Sequence, residues 1–206
     1  MYGQILIAVS FAVAAYQDVR ERAVNDLVWI PAIAGTAYVF YSLATTGQYA
    51  DLEFDVLRIL LIGGMAFVMV YFGMLGEADL IALAFFAADP YVLGVFFALI
   101  GAVIVLVPHI AYVMLSGEGR GSHVIPVTQF LREQKWIPRA TVVEGVRHEV
   151  DTDVNKAREE VEGLQKDGMQ VEVVYGVPDV LYFGLGYILY LAYLVLFNYA
   201  LFSSLP

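Results

Sequence analysis

Apolar residues in this chain fall in blocks. Six stand out: Tyr2 to Gln17, Leu27 to Ala44, Leu57 to Leu75, Leu80 to Ala88, Tyr91 to Leu115 and Val180 to Phe202. As helices rising about 1.5 Å per residue, most of them span or nearly span the roughly 30 Å of bilayer hydrocarbon. The fourth is too short to do so. Asp89-Pro90 ends it, because proline disfavours helix in the residue before it. Two readings of this block are open. It is a short helix packed inside a bundle and extended at its N-terminal end toward Gly76, behind a flexible stretch from Gly73. Or it is a re-entrant segment whose backbone is satisfied by protein or water.

The stretch from Ser116 to about Val177 is different in kind and holds most of the charge. Ala140 to Val150 is rich in Val and Thr and reads as a strand. Val154 to Lys166 places apolar and charged residues at helical spacing, and Asp167-Gly168 ends that helix. Met169 to Val177 reads as a second strand. The fold class expected is an all-α polytopic membrane protein of about six transmembrane helices, with a small cytoplasmic α+β insert between helices five and six. Residues 1–115 and 179–206 form the membrane domain, and residues 116–178 form the insert.

Composition supports a membrane chain. Hydrophobic residues make up 60% of it, against about 45–50% in soluble domains. There is no cysteine, which excludes disulfides, thiolate zinc sites and thiol nucleophiles. A net charge of −10 argues against a nucleic-acid partner, since phosphate binding needs clustered Lys and Arg. Ala12-Val13-Ala14 resembles a signal cleavage site, but no basic residue precedes the first apolar block, so a retained first helix is expected.

Charge also bears on topology. If all six blocks cross, Arg20, Arg22, Arg120 and the basic residues of the insert share one side. The other receives Arg58, with Asp51, Glu53 and Asp55 in its loop. Basic residues beside membrane segments favour the cytoplasm. Six crossings with both termini outside is the simplest account.

Carboxylates at membrane segments are costly, by about 2.5–3.5 kcal/mol for Asp at a helix centre. The candidates are Asp18, Glu77, Asp79, Asp89 and Asp179. In the six-crossing topology Asp18 ends the first helix and Asp79 opens the fourth at the same depth on the cytoplasmic side. Asp89 falls on the opposite side, where a turn role beside Pro90 suffices. Asp179 reads as an acid at a helix N-terminus, where the macrodipole favours it. Two neighbouring carboxylates share a proton, so one serves as general base toward water and the other donates to a scissile carbonyl. This chemistry calls for no cofactor and no metal. His109, His123 and His148 lack metal-ligand spacing.

Gln17-Asp18-Val19-Arg20-Glu21-Arg22-Ala23-Val24-Asn25-Asp26 resembles the D-x-R-x-x-x-[IV]-x-[ND] run that closes the first helix of type IV prepilin peptidases, whose archaeal branch includes the preflagellin (archaellin) peptidases. Gly76-Glu77-Ala78-Asp79 resembles their G-x-G-D signature, with Ala78 in place of the second glycine. Val177-Pro178, leading to Gly184 and Gly186, resembles their approach to the last helix. The resemblance implies a six-helix membrane aspartyl endopeptidase with Asp18 and Asp79 as its catalytic pair. It implies precursors of pilins and archaellins as substrates, cleaved before the hydrophobic stem at the cytoplasmic face of the plasma membrane. Such leaders are basic, and Glu21, Asp26 and Glu77 are candidates to attract one; the bland reading of these acids is a solvated face. Competing readings are a presenilin-like intramembrane protease, a small proton or cation transporter using intramembrane acids, and an inactive scaffold that binds partners through the insert.

Overall fold

The computed structural model describes residues 2–72, 76–89, 92–151, 154–164 and 168–203, with side chains for all of these except 92–95 and 197–203. In chain order the elements are α1 (Tyr2–Glu21), a 3-10 turn (Asp26–Trp29), α2 (Ile30–Thr45), α3 (Tyr49–Tyr71), α4 (Glu77–Ala87), α5 (Val92–Ser116), β1 (His123–Pro126), α6 (Val127–Arg132), β2 (Trp136–Val143), β3 (Val146–Glu149), α7 (Val154–Gly163), β4 (Gln170–Tyr175) and α8 (Asp179–Ser203). Each apolar block of the sequence forms a helix. Among the described residues four stretches are long and apolar enough to cross a membrane: Asp26–Thr45, Tyr49–Tyr71, Phe96–Ser116 and Asp179–Leu196. The chain divides into two compact units, one of residues 1–16, 24–106 and 179–206, the other of 17–23 and 107–178.

The first unit is helical. Phe11 of α1 sits at its centre, with ring centroids 5.7 Å from Trp29, 5.2 Å from Phe86 and 5.3 Å from Tyr187. Those rings come from the 3-10 turn, α4 and α8. Lipid offers apolar groups as good a solvent as protein does, so helices in a membrane associate through close packing and hydrogen bonds. Both are present. A Cβ on Gly35 would collide with the Gly3 carbonyl, and one on Gly186 would collide with that of Ala98. Glycine at these positions lets α1 approach α2 and α5 approach α8 backbone to backbone. Ser10 Oγ accepts a 2.9 Å hydrogen bond from the Ala32 amide, satisfying one of the free donors in the first turn of α2. Elsewhere α3 exposes Leu60, Leu61, Met65 and Phe67, and α5 exposes Phe96, Ile104 and Tyr112. Apolar surface of this extent suits lipid rather than water.

The second unit carries a four-stranded antiparallel sheet in the order β1-β4-β2-β3. Phe130, Trp136, Val161, Val171 and Val173 form its core, to which α7 contributes Val161 from its one apolar face. Pro138 lies in the inner strand β2, where its missing N–H would break the ladder; a register shift between Pro138 and Ala140 accommodates it.

Three expectations are corrected. Ala140 to Val150 is a hairpin rather than one strand. Glu144 and Gly145 both have positive φ (52° and 81°), the geometry of a tight two-residue turn. β1 and α6 were not anticipated. Asp51, Glu53 and Asp55 are not loop residues, because α3 begins at Tyr49. The stretch 73–75, Pro90 and residues 165–167, which include the expected helix end at Asp167, lie outside the described residues.

Candidate active site

Asp79 is the third residue of α4. Gly76 precedes the helix in extended conformation (φ −81°, ψ 162°). Asp79 Oδ2 reaches back to accept the Gly76 amide at 3.0 Å. A carboxylate in a first turn satisfies donors that the helix leaves open and lies at the positive end of its dipole. A Cβ at position 76 would stand 3.2 Å from that same oxygen, so glycine there gives the carboxylate room. Ala78 packs against the apolar core of the first unit, which gives its methyl group a place. Asp79 is 8% exposed, while Glu77 beside it is exposed.

Asp18 lies in the last turn of α1 and is also 8% exposed. The helix ends because Arg22 turns into the left-handed region (φ 53°). Its amide bonds the Asp18 carbonyl at 3.0 Å, the 5→1 bond of a left-handed helix cap. The Arg22 guanidinium donates to the same carbonyl at 3.3 Å and lies 5.9 Å from the centre of the Tyr175 ring. Val24 packs into the apolar core of the first unit, and the Asn25 side chain caps the following turn by accepting the Leu27 amide at 2.9 Å. Glu21 and Asp26 are exposed, Glu21 beside Arg20. Asp18 belongs to the second unit and Asp79 to the first. Both acids are therefore nearly buried at the terminus of a helix, each within its own unit.

The histidines have local roles. His109 Nε2 is 3.1 Å from the Tyr175 hydroxyl, and His123 Nε2 is 3.1 Å from the Glu118 carbonyl. Among the described residues no three His, Asp or Glu side chains converge as metal ligands.

The first unit holds a second polar centre that hydropathy alone does not reveal. Asp89, just beyond the C-terminal end of α4, is wholly buried. Its carboxylate accepts from Gln4 Nε2 at 3.2 Å, Tyr187 Oη at 3.0 Å and Tyr190 Oη at 3.0 Å. From α3, Arg58 donates Nε to the Ala87 carbonyl at 2.7 Å and Nη2 to the Asp89 carbonyl. Nη2 also pairs with Asp55 Oδ1 at 2.7 Å. The last carbonyls of a helix have no intrahelical donor, and in an apolar interior each would be expensive. Arg58 answers that need, which lets an eleven-residue helix end inside the bundle. The expectation that Asp89 serves only a turn is corrected. Its side chain ties α1 and α8 to the end of α4, and Arg58 ties α3 to the same point. One sequence signal was available: Tyr187 and Tyr190, among the tyrosines of α8, are three apart and so share one face.

No family model, no curated protein and no solved structure matches this chain.

Proposed function

We propose that this chain is a membrane-embedded aspartyl endopeptidase of the prepilin peptidase type, with Asp18 and Asp79 as its catalytic pair. The observation that carries the reading is the state of Asp79. It is a nearly buried carboxylate at the head of a short helix, behind a glycine that leaves it room. Burying an acid in a bundle of apolar helices is costly, and a purely structural first-turn acid is as effective at the surface. Asp18, at the end of a helix whose sequence resembles the family's first motif, supplies the partner.

In this reading six helices cross the plasma membrane, the insert is cytoplasmic, and catalysis requires the two carboxylates to converge on a water at the cytoplasmic level. Like charges in a low-dielectric site cannot both ionise, so the pair holds one proton. The ionised carboxylate removes a proton from water as the water oxygen attacks the scissile carbonyl. The protonated partner donates to the carbonyl oxygen, forming a neutral tetrahedral diol. Collapse breaks the C–N bond as the amine leaves with a proton returned from the pair. The substrate is a pilin- or archaellin-like precursor, cut between its basic leader and its hydrophobic stem. Exposed Glu21, Asp26 and Glu77 favour the basic leader electrostatically. Charge reversal at Glu77 then weakens apparent affinity more at low salt than at high salt.

The test uses detergent-purified protein and a pilin-type precursor with a basic leader. Wild type cleaves it, and Asp18→Asn and Asp79→Asn do not. Cleavage that survives either substitution removes that residue from the pair. Proton flux into liposomes with no cleavage replaces this reading with that of a transporter.

A further inference from the structure

We propose that Arg22 and Arg158 form a binding site for a phosphate group, which an anionic lipid or free phosphate can supply. The pair lies wholly within the second unit and does not depend on the protease reading.

The two guanidiniums reach one corner of the sheet from distant parts of the chain. Trp136 and Tyr175 are register partners on β2 and β4, with ring centroids 6.3 Å apart. The Arg22 guanidinium lies 5.9 Å from the centre of the Tyr175 ring. Its Cδ passes close to Gly176, where a Cβ would stand 3.4 Å from it. Arg158, from α7, donates Nη2 to the Trp136 carbonyl at 2.7 Å and to the Gln134 carbonyl at 2.9 Å. Its guanidinium lies 4.8 Å from the centre of the Phe130 ring. Aromatic faces hold guanidiniums in place without neutralising them.

Charge and hydrogen bonding point to the ligand. Both side chains are half-buried, and the Nε of each is buried with no hydrogen-bond partner among the described residues. Neither guanidinium forms an ion pair among those residues. The acids on the Trp136 side, Glu118 and Glu133, pair with Lys135. Glu162, one turn along α7 from Arg158, is exposed. Burial foremost, with the nearby Arg22 charge adding to it and Glu162 opposing it, holds Arg158 below the usual arginine range. Two neighbouring cations in a chain of net charge −10 are a repulsion that an oxyanion removes. Guanidinium N–H groups form a fork that matches the oxygens of phosphate, and Nε–H is a prong left unbonded on both residues. A lipid phosphate can reach this corner. His109 Nε2, about two turns before the end of α5, lies 3.1 Å from the Tyr175 hydroxyl. The ring beneath Arg22 is thus fastened near the end of a helix long and apolar enough to cross a membrane, and headgroups border the hydrocarbon there.

The probes are inorganic phosphate and dioleoylphosphatidylglycerol, each added to the intact chain purified in detergent. Native mass spectrometry counts what stays bound. Saturation at one phosphate-bearing ligand per chain is expected. Arg22→Gln and Arg158→Gln each weaken binding at least about tenfold, the scale of one lost hydrogen bond to a charged group. Arg132→Gln, at an exposed arginine of the same unit, leaves it unchanged. Saturation by the lipid alone assigns the site to a headgroup, and saturation by inorganic phosphate alone assigns it to a soluble phosphate. Mutual displacement shows one site serving both. If a glutamine variant fails to fold, Arg22→Lys and Arg158→Lys decide, since lysine keeps the charge and loses the fork, and binding must still weaken. No saturable binding of either probe overturns the proposal. So does affinity that is unchanged by substitution at either arginine, or that falls equally in Arg132→Gln, which means diffuse charge attraction.

Discussion

The two ends of α4 carry aspartates in opposite circumstances. Asp79 at the N-terminal end meets the Gly76 amide and keeps a little exposure. Asp89 at the C-terminal end has none and is held by donors from α1 and α8. The helix's own polarity explains much of the difference. An acid at the N-terminus is favoured by free amides and the positive dipole end. An acid at the C-terminus is disfavoured, so it needs outside donors, which Gln4, Tyr187 and Tyr190 supply, while Arg58 caps the neighbouring carbonyls. On the proposed reading one end holds a carboxylate for chemistry, while the bonds at the other hold the helix in place.

Asp79→Asn separates the two roles most sharply. It retains shape and one acceptor, so the protein folds, while precursor cleavage falls by at least about 10³-fold, the scale of a lost general acid or base. Equal loss from Asp89→Asn, without loss of folding, would erase the distinction between the ends.

Arg58→Met tests the anchoring end. It leaves Asp55 without its ion-pair partner and the α4 carbonyls without their Arg58 donors. Breaking one partner of a buried ion pair costs about 3–5 kcal/mol, read as a fall in the denaturant midpoint of reversible unfolding in detergent. Tyr187→Phe removes a single donor to a charged acceptor and is expected to cost about 1–3 kcal/mol. If Arg58→Met costs no more than Tyr187→Phe, Arg58 is not what ends α4.

These two ends also differ in how far sequence exposes them. Asp79 announces itself through neighbours in the chain, a glycine three residues before it and an apolar run after it. The partners of Asp89 lie 85, 98 and 101 residues away, beyond any local pattern. Asp55 reads as a loop residue because a hydropathy reading stops at the first charges, whereas a helix continues through charges that find partners. The long apolar helices were legible because their apolar runs are long enough to stand out from the rest of the chain. The sheet was only half legible. β4 stands out by its valines, but β1 has four residues and gains its order from pairing with β4. The hairpin turn at Glu144-Gly145 offered one glycine as its signal.

The smallest effect concerns a glutamate of the second unit that is tuned by local bonds. The Trp136 indole donates to Glu133 Oε2 at 2.8 Å, and Lys135 lies 3.5 Å from the same oxygen. The indole bond foremost, with help from Gln129 and Lys135, holds the Glu133 carboxyl below the usual glutamate range. A depressed folded value means that the unfolded chain binds its proton first as pH falls. The contribution is therefore complete above the ordinary glutamate value of about 4.3. It is lost as pH drops through the lower folded value. Hydrogen exchange of β2 and β4 amides, corrected for intrinsic rates, should show slightly weaker protection in Glu133→Gln than in wild type near neutral pH. The two should converge in acid. A difference that persists in acid would mean that the glutamine disturbs the packing of Trp136 rather than removing a charge.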